Sequence, residues 1–189
     1  MIRYLNLKLS LTCVSLFILL LSSCASRVTT IQNDENRTIE QGQGYLLLGL
    51  SSDLYLEFIV IDGEKKIMFT KDDVRYNEDY LFTPLPPGDY RIKSVKTGQY
   101  TGYELLGDIW SFSVSPGTVS YVGDFQINRK NRSNEMQIIN RSSYAYSFMK
   151  ANFPNLLSKN PMTYTKEKED RFFELMQSGE DNSHKGVKR

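Results

Sequence analysis

Histidine occurs once in this chain of 189 residues, at His184, and cysteine only twice, at Cys13 and Cys24. Ordinary zinc sites take three or four His or Cys ligands, and Ser-His-Asp or Cys-His triads need an imidazole beside the nucleophile. Both are excluded, and the sequence offers no metal or cofactor motif in their place. Lys plus Arg number 23 against 22 Asp plus Glu, so the net charge of +1 provides no electrostatic footprint for nucleic acid. A membrane-spanning helix needs about 20 apolar residues. The most apolar stretch, Leu9 to Leu21, has 13.

That stretch follows Arg3 and Lys8, and a basic segment ahead of a short apolar one is the layout of an export signal. It ends in Leu21-Ser22-Ser23-Cys24, which resembles the lipobox of bacterial lipoproteins. The resemblance implies that residues 1–23 are a signal peptide, that Cys24 is the lipidation site, and that the mature chain starts there. Cys13 leaves with the signal, so the mature chain has no disulfide. Several acyl chains on one Cys give firm attachment, at about 0.8 kcal/mol per buried methylene. Ala25 follows the Cys, which by the same resemblance implies a place in the cell envelope at the outer membrane, facing the periplasm.

Residues 24–43 are polar and without period, and read as a flexible tether. Residues 44–140 hold seven or eight short apolar or alternating runs separated by turn residues, the pattern of an antiparallel β-sandwich. Strands are expected at Tyr45 to Leu50 and Leu54 to Asp62, with Asp62-Gly63 turning into Lys65 to Thr70. Further strands are expected at Tyr80 to Thr83, Asp89 to Val95, Trp110 to Val114, Val119 to Phe125 and Met136 to Ile139. Alternation in these runs predicts one buried face, with Trp110 and Tyr90 inside and Tyr55 less buried. In residues 141–177 the period becomes helical. Ala145, Phe148, Met149 and Asn152 share one face up to Pro154, and Glu169, Phe172, Phe173 and Met176 share another from about Lys166. The apolar face of the second helix needs cover, from the sandwich itself or from a partner. Residues 178–189 are polar and read as a disordered tail.

Leu85-Pro86-Pro87-Gly88-Asp89-Tyr90-Arg91-Ile92 resembles a segment of transthyretin-like, carboxypeptidase-regulatory-like sandwich domains. Phe112 to Gly123 is similar to a strand-turn-strand segment of bacterial lipoproteins. The resemblance covers about residues 44 to 140 and consists of turn chemistry. It implies an accessory role, bracing, spacing or binding, and no catalytic residues.

Two patterns could still carry chemistry. Ser147-Phe148-Met149-Lys150 and Lys96-Thr97-Gly98 match two signatures of penicillin-recognising serine enzymes, but their order is reversed and no Ser-Asp-Asn lies between. Asp62, Asp89, Asp108 and Asp124 stand near strand ends, where paired carboxylates could hydrolyse a glycosidic bond and where Asp is also an ordinary turn residue. Arg91 and Lys93, with Arg129, Lys130 and Arg132, could form a basic patch for acidic glycans or lipid headgroups. The sequons at Asn36, Asn131 and Asn140 read as loop composition.

The sequence therefore points to a non-enzymatic, lipid-anchored envelope lipoprotein that acts as a binding or scaffolding module. Its partners are the membrane, through the lipid, and an envelope protein. Two alternatives remain open: a cell-wall or acyl hydrolase using carboxylates or the Ser-Lys pair, and an assembly subunit of an envelope secretion machine. A pocket joining two of the carboxylates favours the hydrolase; a flat apolar edge or helix face favours the assembly subunit.

Overall fold

Tyr45-Leu46-Leu47-Leu48-Gly49-Leu50 is apolar without alternation, so a strand there has to be covered on both faces. It is covered on both in the computed structural model, which describes residues 25–34, 42–74, 79–98, 100–131, 133–166 and 171–185. Leu46 and Leu48 face a second sheet, while Tyr45 and Leu47 face the C-terminal helices. The arrangement is three layers, sheet on sheet and helices on the second sheet.

In chain order the strands are β1 (Ser26–Arg27), β2 (Gly44–Ser52), β3 (Phe58–Gly63), β4 (Ile67–Thr70), β5 (Asp79–Leu85), β6 (Gly88–Lys96), β7 (Gly102–Glu104), β8 (Ser111–Val114), β9 (Val119–Lys130), β10 (Ser133–Ile139) and β11 (Met162–Tyr164). The helices are α1 (Ser142–Asn152), α2 (Pro154–Lys159) and α3 (Phe172–Lys185). The first sheet has six strands in the order β1-β4-β3-β6-β7, with β8 also on β6. The second has five in the order β10-β9-β2-β5, with β11 also on β9. All the expected runs contribute strands, at shifted limits, but the sheets are mixed and not purely antiparallel. β1 on β4, β2 on β9 and β11 on β9 are parallel pairs. The strand count exceeds seven or eight because β1, β7 and β11 are two or three residues long, too short to show a period.

Between Leu47 and Gly49 the register of β2 on β9 slips by one residue, from Leu47 opposite Tyr121 to Gly49 opposite Asp124. Gly123, with φ of 112°, supplies the bulge. Strict alternation would put Tyr121 and Phe125 on one face. The bulge separates them: Tyr121 packs among the helices and Phe125 in the core between the sheets. Expecting a single buried face on β9 was therefore wrong, since Val119 to Ile127 are all buried.

Residues 25–34, expected within the tether, are bound along their length. Ser26 and Val28 donate backbone hydrogen bonds to Lys66 and Met68 of the first sheet, at 2.9 and 3.2 Å, and Ile31 to Phe82 of the second, at 2.7 Å. Asp34 then accepts from the N–H groups of Asn155 and Leu156 at 2.7 and 3.0 Å, capping α2. The segment is a strap across one open side of the sandwich.

Pro154, expected to stop the first helical run, breaks α1 from α2 and occupies the first turn of the new helix, where its missing N–H costs nothing. Asn140 opens α1 by accepting from the Ser142 N–H at 3.0 Å, the structural use of one sequon. α3 starts at Phe172 and not near Lys166; Glu169 lies outside the described residues. It continues past Gln177 to Lys185, across the expected start of the tail. Phe173 is buried against Tyr121 and Tyr146, Phe172 is half-buried, and Met176 is exposed. β11, which lies between α2 and α3 in the chain, joins the second sheet beside β9.

Candidate functional site

The strands align the loops into two ends. At one end lie the β3–β4 turn with Lys65 and Lys66, the turn Pro86–Gly88, and the β8–β9 turn Ser115–Thr118. At the other lie the β2–β3, β6–β7 and β9–β10 connections. The register of β2 along β9 separates these ends by roughly 26 Å, at about 3.3 Å per residue. Cys24 lies outside the described residues, one position before Ala25 at the Lys66 end.

Tyr90 shows how the fold builds that end. The turn Pro86-Pro87-Gly88 returns the chain so that the buried Tyr90 ring reaches back, and its hydroxyl donates to the Pro86 carbonyl at 2.8 Å. A tyrosine ring folded back so that its hydroxyl bonds the backbone a few residues upstream is tyrosine-corner geometry. Burial, followed by the charge of Glu64, raises the Tyr90 phenol above its ordinary pKa.

On the open side of the sandwich formed by β6, β8, β10 and β11, a groove of about 1150 Å³ brings together Asp62, Asp89 and Asp108, with Arg91 and Lys166. Asp62 pairs with Lys93 at 3.3 Å, and Asp89 accepts from the Ser113 hydroxyl at 2.6 Å. Lys166 donates to the Ile109 carbonyl, and burial lowers its pKa. Ile109 and Leu106, two large apolar side chains, stand exposed in the segment between β7 and β8. Sequence reasoning had no signal for them, because they fall in a loop without period.

The far end carries a smaller pocket of about 590 Å³ lined by Tyr55, Tyr103, Thr97, Thr101, Arg129 and Asn134, among others. Asn134 fixes the Tyr103 hydroxyl by donating to it at 2.5 Å. The expected basic patch is therefore divided. Arg91 and Lys93 sit on β6 among carboxylates, Arg129 lines the far pocket, and Lys130 pairs with Glu135 at 3.1 Å. Arg132 lies outside the described residues.

Asp124 is in neither cavity. Its carboxylate is buried behind β9, accepting from the Tyr121 hydroxyl at 2.6 Å with the Arg141 guanidinium 3.8 Å away, and Arg141 N–H donates to the same hydroxyl at 3.2 Å. Burial, then the bond to Asp124 and its charge, push the Tyr121 phenol far up. The sequence signal was an Asp inside an apolar run, directly after a Gly and three residues beyond a Tyr.

The Ser-Lys and Lys-Thr-Gly patterns do not meet. Ser147 lies on the exposed face of α1 and donates to the Ser143 carbonyl of its own helix at 2.9 Å. Lys96 ends β6 in the first sheet, over the Phe58 ring at 5.6 Å. Among the described residues, no group of three His, Cys, Asp or Glu could hold a metal ion, and no helix is long and apolar enough to cross a membrane. A scan against protein-family models, a search of curated proteins and a search of solved structures each return no match.

Proposed function

We propose that this chain is a lipid-anchored lipoprotein of a bacterial cell envelope, attached through Cys24 at the outer membrane, and that its β domain is a non-enzymatic binding module. The observation that carries the reading is Leu21-Ser22-Ser23-Cys24, behind a 13-residue apolar stretch and two residues ahead of the first strand. The resemblance of Leu85 to Ile92 supports assigning the sandwich to the transthyretin-like type. Exposed Leu106 and Ile109 beside the groove suit an envelope protein as partner, because large apolar side chains grouped on a surface gain most from being covered. The anchoring test is growth with labelled fatty acid. The native chain should take up label and fractionate with membranes, and Cys24→Ser should lose both; an unchanged pattern in that variant would sink the reading.

A carboxylate hydrolase is the second reading, favoured by the three aspartates in one groove. Asp62 and Asp89 are already engaged by Lys93 and Ser113, which suits a structural role better than an acid-base pair. Cell-wall glycan hydrolysis by the native chain, abolished in Asp89→Asn with Asp108→Asn, would establish that reading in its place.

A further inference from the structure

We propose that the domain is held directly against the membrane that anchors it, with the Lys66 end seated on phospholipid headgroups. The proposal deepens the lipoprotein reading and rests on it. Cys24 stands two positions before Ser26, with Ala25 alone between them, and two steps of extended chain reach no more than about 7 Å. Ser26 has no freedom to use that reach, because its N–H is bonded to the Lys66 carbonyl at 2.9 Å. The strap then holds at Val28, Ile31 and Asp34, and Arg27 pairs with Asp72 at 2.6 Å. No slack remains to let the domain stand off.

Direction follows from the parallel pairing of β1 with β4. Ser26 lies opposite Ile67 and Arg27 opposite Met68, so the chain before Ser26 leaves beside Lys66 and Lys65. Acyl chains on Cys24 would enter the bilayer there, placing the β3–β4 turn in the headgroup layer. The chemistry of that turn suits phosphate. Lys65 stands exposed in it beside Lys66 and Glu64, and among the described residues none of the exposed large apolar side chains lies in the turns at this end. The surface is built to rest among headgroups and not to insert. It turns the far pocket with Tyr55 and Tyr103 away from the bilayer.

The test uses the full chain carrying its lipid, in vesicles of phosphatidylethanolamine and phosphatidylglycerol that contain a phospholipid with a spin-labelled headgroup. A fluorophore is attached at Lys65→Cys or, as the far-end control, at Tyr100→Cys. Quenching at position 65 should be several-fold greater than at position 100. Inserting a Gly/Ser linker of about 20 residues between Ala25 and Ser26, with a reach of about 25 Å, should remove that difference while the protein still floats with vesicles. Flotation with equal quenching at the two positions in the uninserted chain would overturn the proposal and leave the anchor standing. Absence of both acyl label and flotation would overturn the lipoprotein reading and the proposal with it.

Discussion

The Tyr121 hydroxyl donates to Asp124 Oδ1 at 2.6 Å from within the same strand, three residues away, because a bulge brings both side chains to one face. Without the bulge, Asp124 would point into the apolar core between the sheets. The pair also ties β9 to the start of α1 through Arg141. It is the polar centre of the interface between the second sheet and the helices.

Tyr121→Phe removes a donor from a buried carboxylate and should cost about 1–3 kcal/mol in urea unfolding. The fold also holds this phenol neutral, with its pKa raised from 10.0. Because the folded pKa lies above the unfolded one, the contribution is complete below pH 10 and is lost as pH rises and the unfolded chain ionises. Alkaline unfolding should therefore be less steep in Tyr121→Phe than in the native chain. In an ultraviolet titration the native chain should ionise one more tyrosine as the fold opens than Tyr121→Phe does.

Gly49 faces Asp124 so closely that a Cβ there would lie 2.0 Å from Oδ1. Gly49→Ala should cost about 1–3 kcal/mol through overpacking. Paired with Asp124→Ala, the cost should fall below the sum of the two single losses, by about 0.5–3 kcal/mol in a double-mutant cycle.

Trp110 sits in a single 3-10 turn just ahead of β8, 5% exposed and edge-on to Phe125 at 5.5 Å. Trp110→Ala should cost about 3–5 kcal/mol. Being the only tryptophan, it should give blue-shifted emission in the native chain that moves to the red on unfolding.

Tyr90→Phe should cost about 0.5–1.5 kcal/mol for the lost bond to Pro86. Tyr55, 48% exposed, should tolerate the same change within about 0.5 kcal/mol. Equal losses in denaturant melts would place the corner's stabilisation elsewhere.

Truncation after Pro161 removes β11 and α3, uncovering Tyr121 and deleting the buried Phe173. The shortened chain should melt at a lower temperature, since a buried Phe contributes roughly 1.5–3 kcal/mol by area alone. Phe173→Ala should reproduce most of the loss, whereas Leu175→Ala, 62% exposed, should not.

Much of the sandwich was legible because its longer strands carry their own signals. The hairpin from β3 to β4 was expected, although Asp62 and Gly63 stay in β3 against β6 and the chain turns at Glu64 to Lys66. The run from Ser111 to Val114 alternated faithfully, and Tyr90 lies inside as its segment predicted. Elements defined by their partners were not legible. Ser26 and Arg27 are polar and form a strand only because β4 offers an edge, and Met162 to Tyr164 do so because β9 does. The bulge at Gly123 was hidden by an apolar alternation that continued through it in sequence while reversing face in space. Of the candidate site, the aspartates were named, but nothing in their spacing told which three would share a groove and which one would be buried.

Asp34 caps a helix that begins 120 residues after it, so an early segment of the chain waits on a late one. Residues 25–34 precede Lys66, Phe82 and Asn155 in the chain, and they are fully held only once all three have met them. The strap thus stands early in the chain and is secured late in folding. Contacts so distant in sequence close slowly, because the loop entropy is lost before the contact rewards it. Until the strap is in place, the edges of β4 and β5 stay open to strand addition by another chain.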